Sequence, residues 1–244
     1  MALAIETKNL RKEFGTKTAV KDITLSIEKG QIFSLLGVNG AGKTTTIRML
    51  TGLIKPTSGQ AFIFGSSVTE ELEKVKQISG FSPQTTSVAE NLTVWENLEF
   101  MARIYGMDKS AAEERAREML CRFSMQEVRK CRSKILSGGW QRRLSIAMAL
   151  IGRPKVLFLD EPTLGLDVLA RSELWQILKG LKKNTTIVLT THYMEEAEKL
   201  SDEVGIMVDG ELRARGAVEK LKADTGTKSL EQAFIRIAEG GRGI

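Results

Sequence analysis

The sequence predicts an α/β fold with a mostly parallel core sheet, an N-terminal antiparallel β-subdomain and an inserted α-helical subdomain. Three observations carry that expectation. Ile32-Phe-Ser-Leu-Leu36 is an unbroken apolar run that stops at a glycine-rich loop and resumes as a helical pattern from Lys43 to Leu50. From Val156 onward strand and helix patterns alternate through VLFLD, SELWQILKGLK, TIVLTTH, EEAEKL and EVGIMVDGEL, which implies parallel strands joined by crossover helices. Between them, from about Val88 to Met148, WENLEFMARIYG and KSAAEERAREMLCRF space their apolar residues as helices do.

Taken in order, residues 3 to 33 hold short alternating segments such as LAIET and DITLSI with turns at Gly15 and Gly30, read as antiparallel strands. Gly52 closes the first helix, and PTSGQAFIFG is a turn followed by a strand. The main domain is expected over residues 1–220, with the helical subdomain inserted at about 85–148, and residues 221–244 form a short helical appendix. No internal repeat, low-complexity tract or long linker interrupts this order.

Composition narrows the class. The 244 residues with 42% hydrophobic content suffice for a substantial core. A formal charge of +6 would suit nucleic acid, an acidic membrane or nucleotide phosphates, but the basic residues are interspersed with 30 acidic ones, so a mixed solvated surface is the default and no nucleic acid partner is expected. Cys121 and Cys131, ten apart in a helical-looking region, fit neither a zinc site nor a disulfide framework and read as reduced thiols. The N-terminus lacks the apolar core of a signal peptide, and no apolar run approaches the roughly 20 residues needed to span a bilayer. If the protein serves a membrane, another polypeptide must provide the spanning segments.

The chemistry concentrates at strand ends. Gly37, Asn39, Gly40, Ala41, Gly42, Lys43 and Thr44 complete the pattern G-x-x-x-x-G-K-S/T, with Thr45 following, between a buried strand and a helix. Glycines let backbone N–H groups close around phosphates, Lys43 reaches the β and γ phosphates, and Thr44 ligates Mg²⁺, so the fold class is a P-loop NTPase. VLFLD ends in Asp160 and Glu161. Asp160 is expected in the Mg²⁺ shell, and Glu161 is the candidate base for an attacking water. His192, the chain's single histidine, ends the apolar strand IVLTTH on the same side of the sheet. No Asn-Lys-x-Asp element for guanine occurs; Phe14 offers an aromatic face for adenine, and burial in the core is its other, more ordinary fate. A second glycine motif, Ser137-Gly138-Gly139 in ILSGGWQRRL, opens another helical pattern about a hundred residues downstream.

Six ordered elements, GVNGAGKTT, Gln84 in FSPQ, LSGGWQRR, VLFLDEPT, the GLD that ends at Asp167, and His192 in TTHYMEEAE, make the chain resemble the nucleotide-binding subunit of an ATP-binding cassette (ABC) transporter over nearly its whole length. The resemblance implies that Gln84 links the catalytic core to the helical subdomain and touches Mg²⁺ or the attacking water, and that His192 contacts the γ-phosphate. It places Asp167 with Ser137, Gly138 and Gly139 among the nucleotide-binding residues of a head-to-tail dimer, in which the Ser137–Gly139 loop closes on ATP held by the other subunit's Gly37–Thr44 loop. A homodimer, MgATP as cofactor, a separate membrane permease and a place on the cytoplasmic face of the membrane follow from the same resemblance. Trp140 stands where the pattern usually has glutamine, and Leu164 where a serine often precedes Gly-Leu-Asp. The stretch from Ile135 to Glu198 and the short SLEQAFIRI tail resemble drug and antibiotic-resistance exporters. The alternative reading, a non-transport ABC ATPase acting on nucleic acid, ribosomes or an assembly scaffold, would call for a long coiled-coil insertion or a second cassette, and neither is seen.

Overall fold

The computed structural model describes residues 2–182 and 184–240, so the final four residues of the expected appendix lie outside it. Two sheets organise the chain. The first joins β1 (Leu3–Phe14), β2 (Lys17–Glu28), β4 (Ser58–Ile63) and β5 (Ser66–Ser67) in the antiparallel order β2-β1-β4-β5. The second runs β10-β9-β3-β8-β7-β6, built from β3 (Ile32–Leu36), β6 (Ser79–Ser82), β7 (Val156–Asp160), β8 (Thr186–Thr191), β9 (Glu203–Val208) and β10 (Glu211–Gly216). All of its neighbours are parallel except the β9–β10 hairpin, which turns at Asp209-Gly210.

The N-terminal strands are longer than their alternation implied. β1 and β2 are twelve residues each because register shifts interrupt the ladder, and Asn9 and Asp22 take left-handed backbone within them. Such bulges break a two-residue period without ending the strand, so the sequence reads as shorter pieces.

Alternation within the central strands sorts the core into two layers. Leu157, Leu159, Ile187 and Leu189 point into a cluster shared with α3 (Val94–Ile104), α4 (Lys109–Arg122) and α5 (Gly138–Leu150). Val156, Phe158 and Val188 point the other way, against the antiparallel sheet and α1 (Lys43–Leu50). Both faces are covered, which is why β3, β7 and β8 read as continuous apolar runs. In the helical region Thr93 caps α3 reciprocally with Glu96, through Glu96 N to Thr93 Oγ1 at 3.1 Å and Thr93 N to Glu96 Oε2 at 2.7 Å. Cys121 lies on α4, but Cys131 falls in the irregular stretch after it rather than on a helix; both are free thiols.

The sequence reading did not anticipate α2 (Leu72–Ile78), β6 or the two-residue β5. Crossover helices α6 (Val168–Leu181) and α7 (Met194–Leu200) complete the core. The C-terminal α8 (Val218–Thr225) and α9 (Leu230–Glu239) pack Leu221, Leu230 and Phe234 against Leu36, Val204 and Ile206 at the β9 side. Among the described residues no helix is long and apolar enough to cross a membrane.

Candidate nucleotide site and a second phosphate-type cleft

Four adjacent parallel strands, β3, β8, β7 and β6, end at one edge and each delivers a predicted residue there. β3 runs into the glycine loop, β8 into His192, β7 into Asp160 and Glu161, and β6 into Gln84. Registration sets Asp160 beside Thr190 and Leu36 beside Thr191, so the groups converge without any long loop having to reach.

Within the loop Gly42 has φ 102° and precedes α1 without a side-chain cap; a Cβ there would lie 2.6 Å from the Ala19 carbonyl oxygen. The first-turn N–H groups of α1 therefore have no acceptor within the helix and face the cleft. Lys43, 5% exposed, donates to the carbonyls of Gly37 at 2.7 Å and Val38 at 3.1 Å and lies 3.6 Å from Glu161 Oε1. Burial pulls its pKa below the ordinary lysine value, and the Glu161 and Asp160 carboxylates offset this in part.

Asp160 Oδ1 accepts hydroxyl hydrogen bonds from Thr44 at 3.0 Å and Thr190 at 2.5 Å. A hydroxyl and a carboxylate oxygen are hard donors suited to Mg²⁺. Among the described residues no cluster of three or more acidic, His or Cys side chains could hold a metal unaided, so such an ion would need phosphate and water oxygens as well. That is the usual way Mg²⁺ is held with nucleotides, and the residues present fit it.

Glu161 is buried and adopts left-handed backbone at φ 49°. Its N–H is shared between the Thr190 hydroxyl at 3.0 Å and the Thr190 carbonyl at 3.1 Å. His192 Nδ1 lies 2.8 Å from Glu161 Oε2, but not along the direction of a hydrogen bond, and is otherwise unpartnered among the described residues. Phe14, half exposed at 52%, lines the cleft of about 430 Å³ together with Lys17, Asn39 to Thr45, Gln84 and Glu161. The core is thus not the fate of Phe14. Lys12 Nζ sits 5.0 Å from its ring centroid, leaving the other face for a base.

Ser137, Gly138, Gly139 and Asp167 are not brought to this cleft. They line a separate one of about 510 Å³ with Trp140, Arg143 and Leu166. Ser137 is the N-cap residue of α5 yet makes no side-chain cap, and nothing lies within 4 Å of where a Gly138 Cβ would be, so the helix end is bare. Asp167 instead caps α6 through Ala170 N at 2.9 Å. The Arg143 guanidinium lies 4.8 Å from the Trp140 ring centroid and pairs with Glu173.

Comparison with known proteins agrees with this architecture. The family model described as "ABC transporter" matches residues 20–164. The daunorubicin/doxorubicin resistance ATP-binding protein DrrA of Streptomyces peucetius is 41% identical over 228 residues, 93% of this chain and 69% of that protein. The chain belongs to the ABC transporter family. It is an ATP-binding, ATP-hydrolysing cassette of that family. A shorter match, to a model described as "AAA domain, putative AbiEii toxin, Type IV TA system", covers residues 133–196. The human phospholipid-transporting ATPase ABCA3 is 44% identical over 230 residues, but the cassette spans only 14% of that protein's length. A solved dimeric ATP-binding cassette in a post-hydrolysis state bound to ADP and Pi superposes with a TM-score of 0.80 at 28% identity, over 87% of this chain and 98% of the other.

Arg142 and Glu196 fall inside LSGGWQRR and TTHYMEEAE, but the motifs gave neither a role. Glu196 is fully buried on α7, where Oε1 accepts from Trp175 Nε1 at 3.2 Å and Oε2 has no hydrogen-bond partner among the described residues. Burial raises its pKa above the usual carboxyl value, against the opposing pull of Thr191, Thr163, Trp175 and Arg171. Arg142 is only 3% exposed and donates to backbone carbonyls on both sides of Glu161. A pair of arginines at a helix start carries no pattern that reveals burial.

Proposed function

We propose that this cassette works as a head-to-tail pair on the cytoplasmic face of a membrane and powers export through a separate permease. The observation that carries the pairing is the separation of the two clefts. One chain offers a phosphate loop with hydrolytic residues and, apart from it, a bare helix N-terminus flanked by Ser137, with no nucleotide-binding loop of its own beside it. A second copy turned head to tail supplies each cleft with its complement. Exposed Leu164, Val168 and Leu169 beside Asp167 give the second copy an apolar surface to cover. The solved dimeric cassette supports a pair, and a relative named for drug resistance as an ATP-binding protein fits a cassette that drives export.

In this reading Phe14 stacks on adenine and the loop from Gly37 to Thr45 wraps the phosphates. Lys43 exchanges its contacts with Gly37, Val38 and Glu161 for the β and γ phosphates. Thr44, Asp160 and Gln84 would hold Mg²⁺, which when bound would set positive charge against the negative charge on the phosphoryl oxygens. Glu161 accepts the proton of the attacking water, and His192, whose Nδ1 lies 2.8 Å from Glu161 Oε2, contacts the γ-phosphate. The partner's Ser137 hydroxyl and Gly139 N–H close the far side. Asp167 stays at the junction as the cap of α6.

Mixing two inactive variants tests the pairing. Gly139→Asp with Lys43→Ala should restore part of the hydrolysis, because one composite site then carries both defects and the other neither, and coupling between the sites holds the intact one below full activity. A mixture that neither hydrolyses ATP nor forms an ATP-held mixed dimer on size exclusion would oppose composite sites.

A further inference from the structure

The guanidinium of Arg142 has four acceptors, and all are backbone carbonyls at the hydrolytic end of the sheet. Nε donates to Pro162 at 2.9 Å and Nη2 to Asp160 at 2.6 Å; Nη1 donates to Pro83 and, more weakly, to Gln84 at 3.4 Å. Asp160 and Pro162 flank Glu161, so one side chain holds the carbonyl before and the carbonyl after the left-handed residue expected to activate water. The same side chain holds the loop that presents Gln84. Burial lowers the Arg142 pKa to about 10, which leaves it charged at neutral pH.

Arg142 also belongs to a stripe. Along α5, Arg142, Ser145 and Ala149 follow one another at helical spacing and meet successive alternate residues of β6 and its loop. Ala149 O would lie 2.2 Å from a Cβ at Gly80, so helix and strand touch without an intervening side chain. Ser145 Oγ lies 2.9 Å from Ser82 Oγ, and Arg142 completes the row at Pro83 and Gln84. Helix α5, β6 and the Gln84 loop are therefore tied as one body. The N-terminus of that helix is the Ser137–Gly139 end.

We propose that Arg142 is a positioning residue that couples the two ATP sites: it fixes the backbone around Glu161 and the Gln84 loop to the first turns of the helix whose N-terminus serves the partner's nucleotide. Closure of the partner's γ-phosphate on the N-terminus of α5 then shifts Arg142, and through it the chain's own Glu161 and Gln84. This rests on the head-to-tail reading and extends it, since a composite site alone does not require that one site inform the other.

The test compares full-length wild type, Arg142→Gln and Arg142→Lys for thermal unfolding, equilibrium binding of a fluorescent ATP analogue, kcat, KM and the Hill coefficient for ATP. Wild type should hydrolyse ATP with a Hill coefficient above one. In a folded Arg142→Gln protein we expect analogue affinity within about twofold of wild type, kcat lowered about 10- to 100-fold as expected for a small misplacement of catalytic groups, and a Hill coefficient close to one. Arg142→Lys, which keeps the charge but not the fork, should recover kcat in part. Should Arg142→Gln not fold, the same split between kcat and affinity is read in Arg142→Lys. Unchanged kcat and cooperativity in either folded variant, or a loss seen only in KM, would overturn the role of Arg142 while leaving the pair intact. A wild-type protein that neither pairs with ATP nor shows cooperativity would overturn the pair, and the coupling with it.

Discussion

Lys43 Nζ lies 3.6 Å from Glu161 Oε1, so the group that receives phosphate and the group expected to activate water neutralise one another before nucleotide arrives. Both are almost wholly buried, and burial disfavours the charged form of Lys43. Phosphate oxygens replace the carboxylate as the anion beside Lys43 and free Glu161 to face a water. Glu161→Gln should therefore bind MgATP at least as tightly as wild type, because a carboxylate beside the γ-phosphate is removed. Steady-state turnover should fall about 10²- to 10⁴-fold, with an ATP-held dimer accumulating on size exclusion. Turnover near that of wild type would take the base role from Glu161.

Gly139 offers a cleaner separation of fold from closure. A Cβ there would meet Ala170 at 3.6 Å, an ordinary contact, so the monomer accepts a side chain. Gly139→Ala and Gly139→Asp should melt close to wild type and bind ATP in their own loops. Introduced into the Glu161→Gln background, Gly139→Asp should abolish the ATP-held dimer through bulk and like charge at the phosphate, while Gly139→Ala weakens it. A dimer of undiminished stability with Asp at 139 would show that the helix end does not meet nucleotide.

Phe14 is half exposed and outside the core, so its removal tests base stacking without a packing penalty. Phe14→Ala should leave thermal unfolding unchanged and raise the Kd for ATP by roughly 2- to 12-fold, the span of a stacked aromatic pair worth about 0.5–1.5 kcal/mol. Phe14→Trp should retain wild-type affinity. Equal Kd values for all three proteins would count against stacking.

Glu196 gives a pH signature. Its folded pKa is raised by burial, so the native state holds the proton more tightly than the unfolded chain, whose carboxyl titrates at about 4.3. The stability this group contributes is complete below that value and declines as pH rises from it towards the folded pKa. Glu196→Gln keeps an acceptor for Trp175 Nε1 and cannot ionise. Urea unfolding should find the variant more stable than wild type at pH 7 and the difference smaller at pH 5; a variant less stable at both would mean that the carboxylate is held ionised.

Much of the site was legible because each motif sits where an apolar run stops, and the end of a buried strand is the one place a side chain can both be held rigidly and meet a ligand. Asp160, Glu161 and His192 were found that way. The β6 strand was not, since Ser79-Gly-Phe-Ser82 is too short and polar to read as a strand, although it aims Gln84. Helix α2 escaped because Val75 is the one residue of LEKVKQI it buries. Arg142 escaped for a deeper reason: its partners are carbonyls from two distant segments, and carbonyls have no letter in a sequence. The left-handed turn at Glu161 is equally silent, because only the groups gathered around it hold a glutamate there.

The single histidine has a practical consequence. With one imidazole in 244 residues, and that one 2.8 Å from Glu161, the protein carries a built-in spectroscopic reporter of its proposed reaction centre. Isotope labelling of histidine alone would yield one ring spin system, free of overlap in a 27.0 kDa chain. Its shifts would follow tautomer and protonation through nucleotide arrival, pairing and release without any engineered probe.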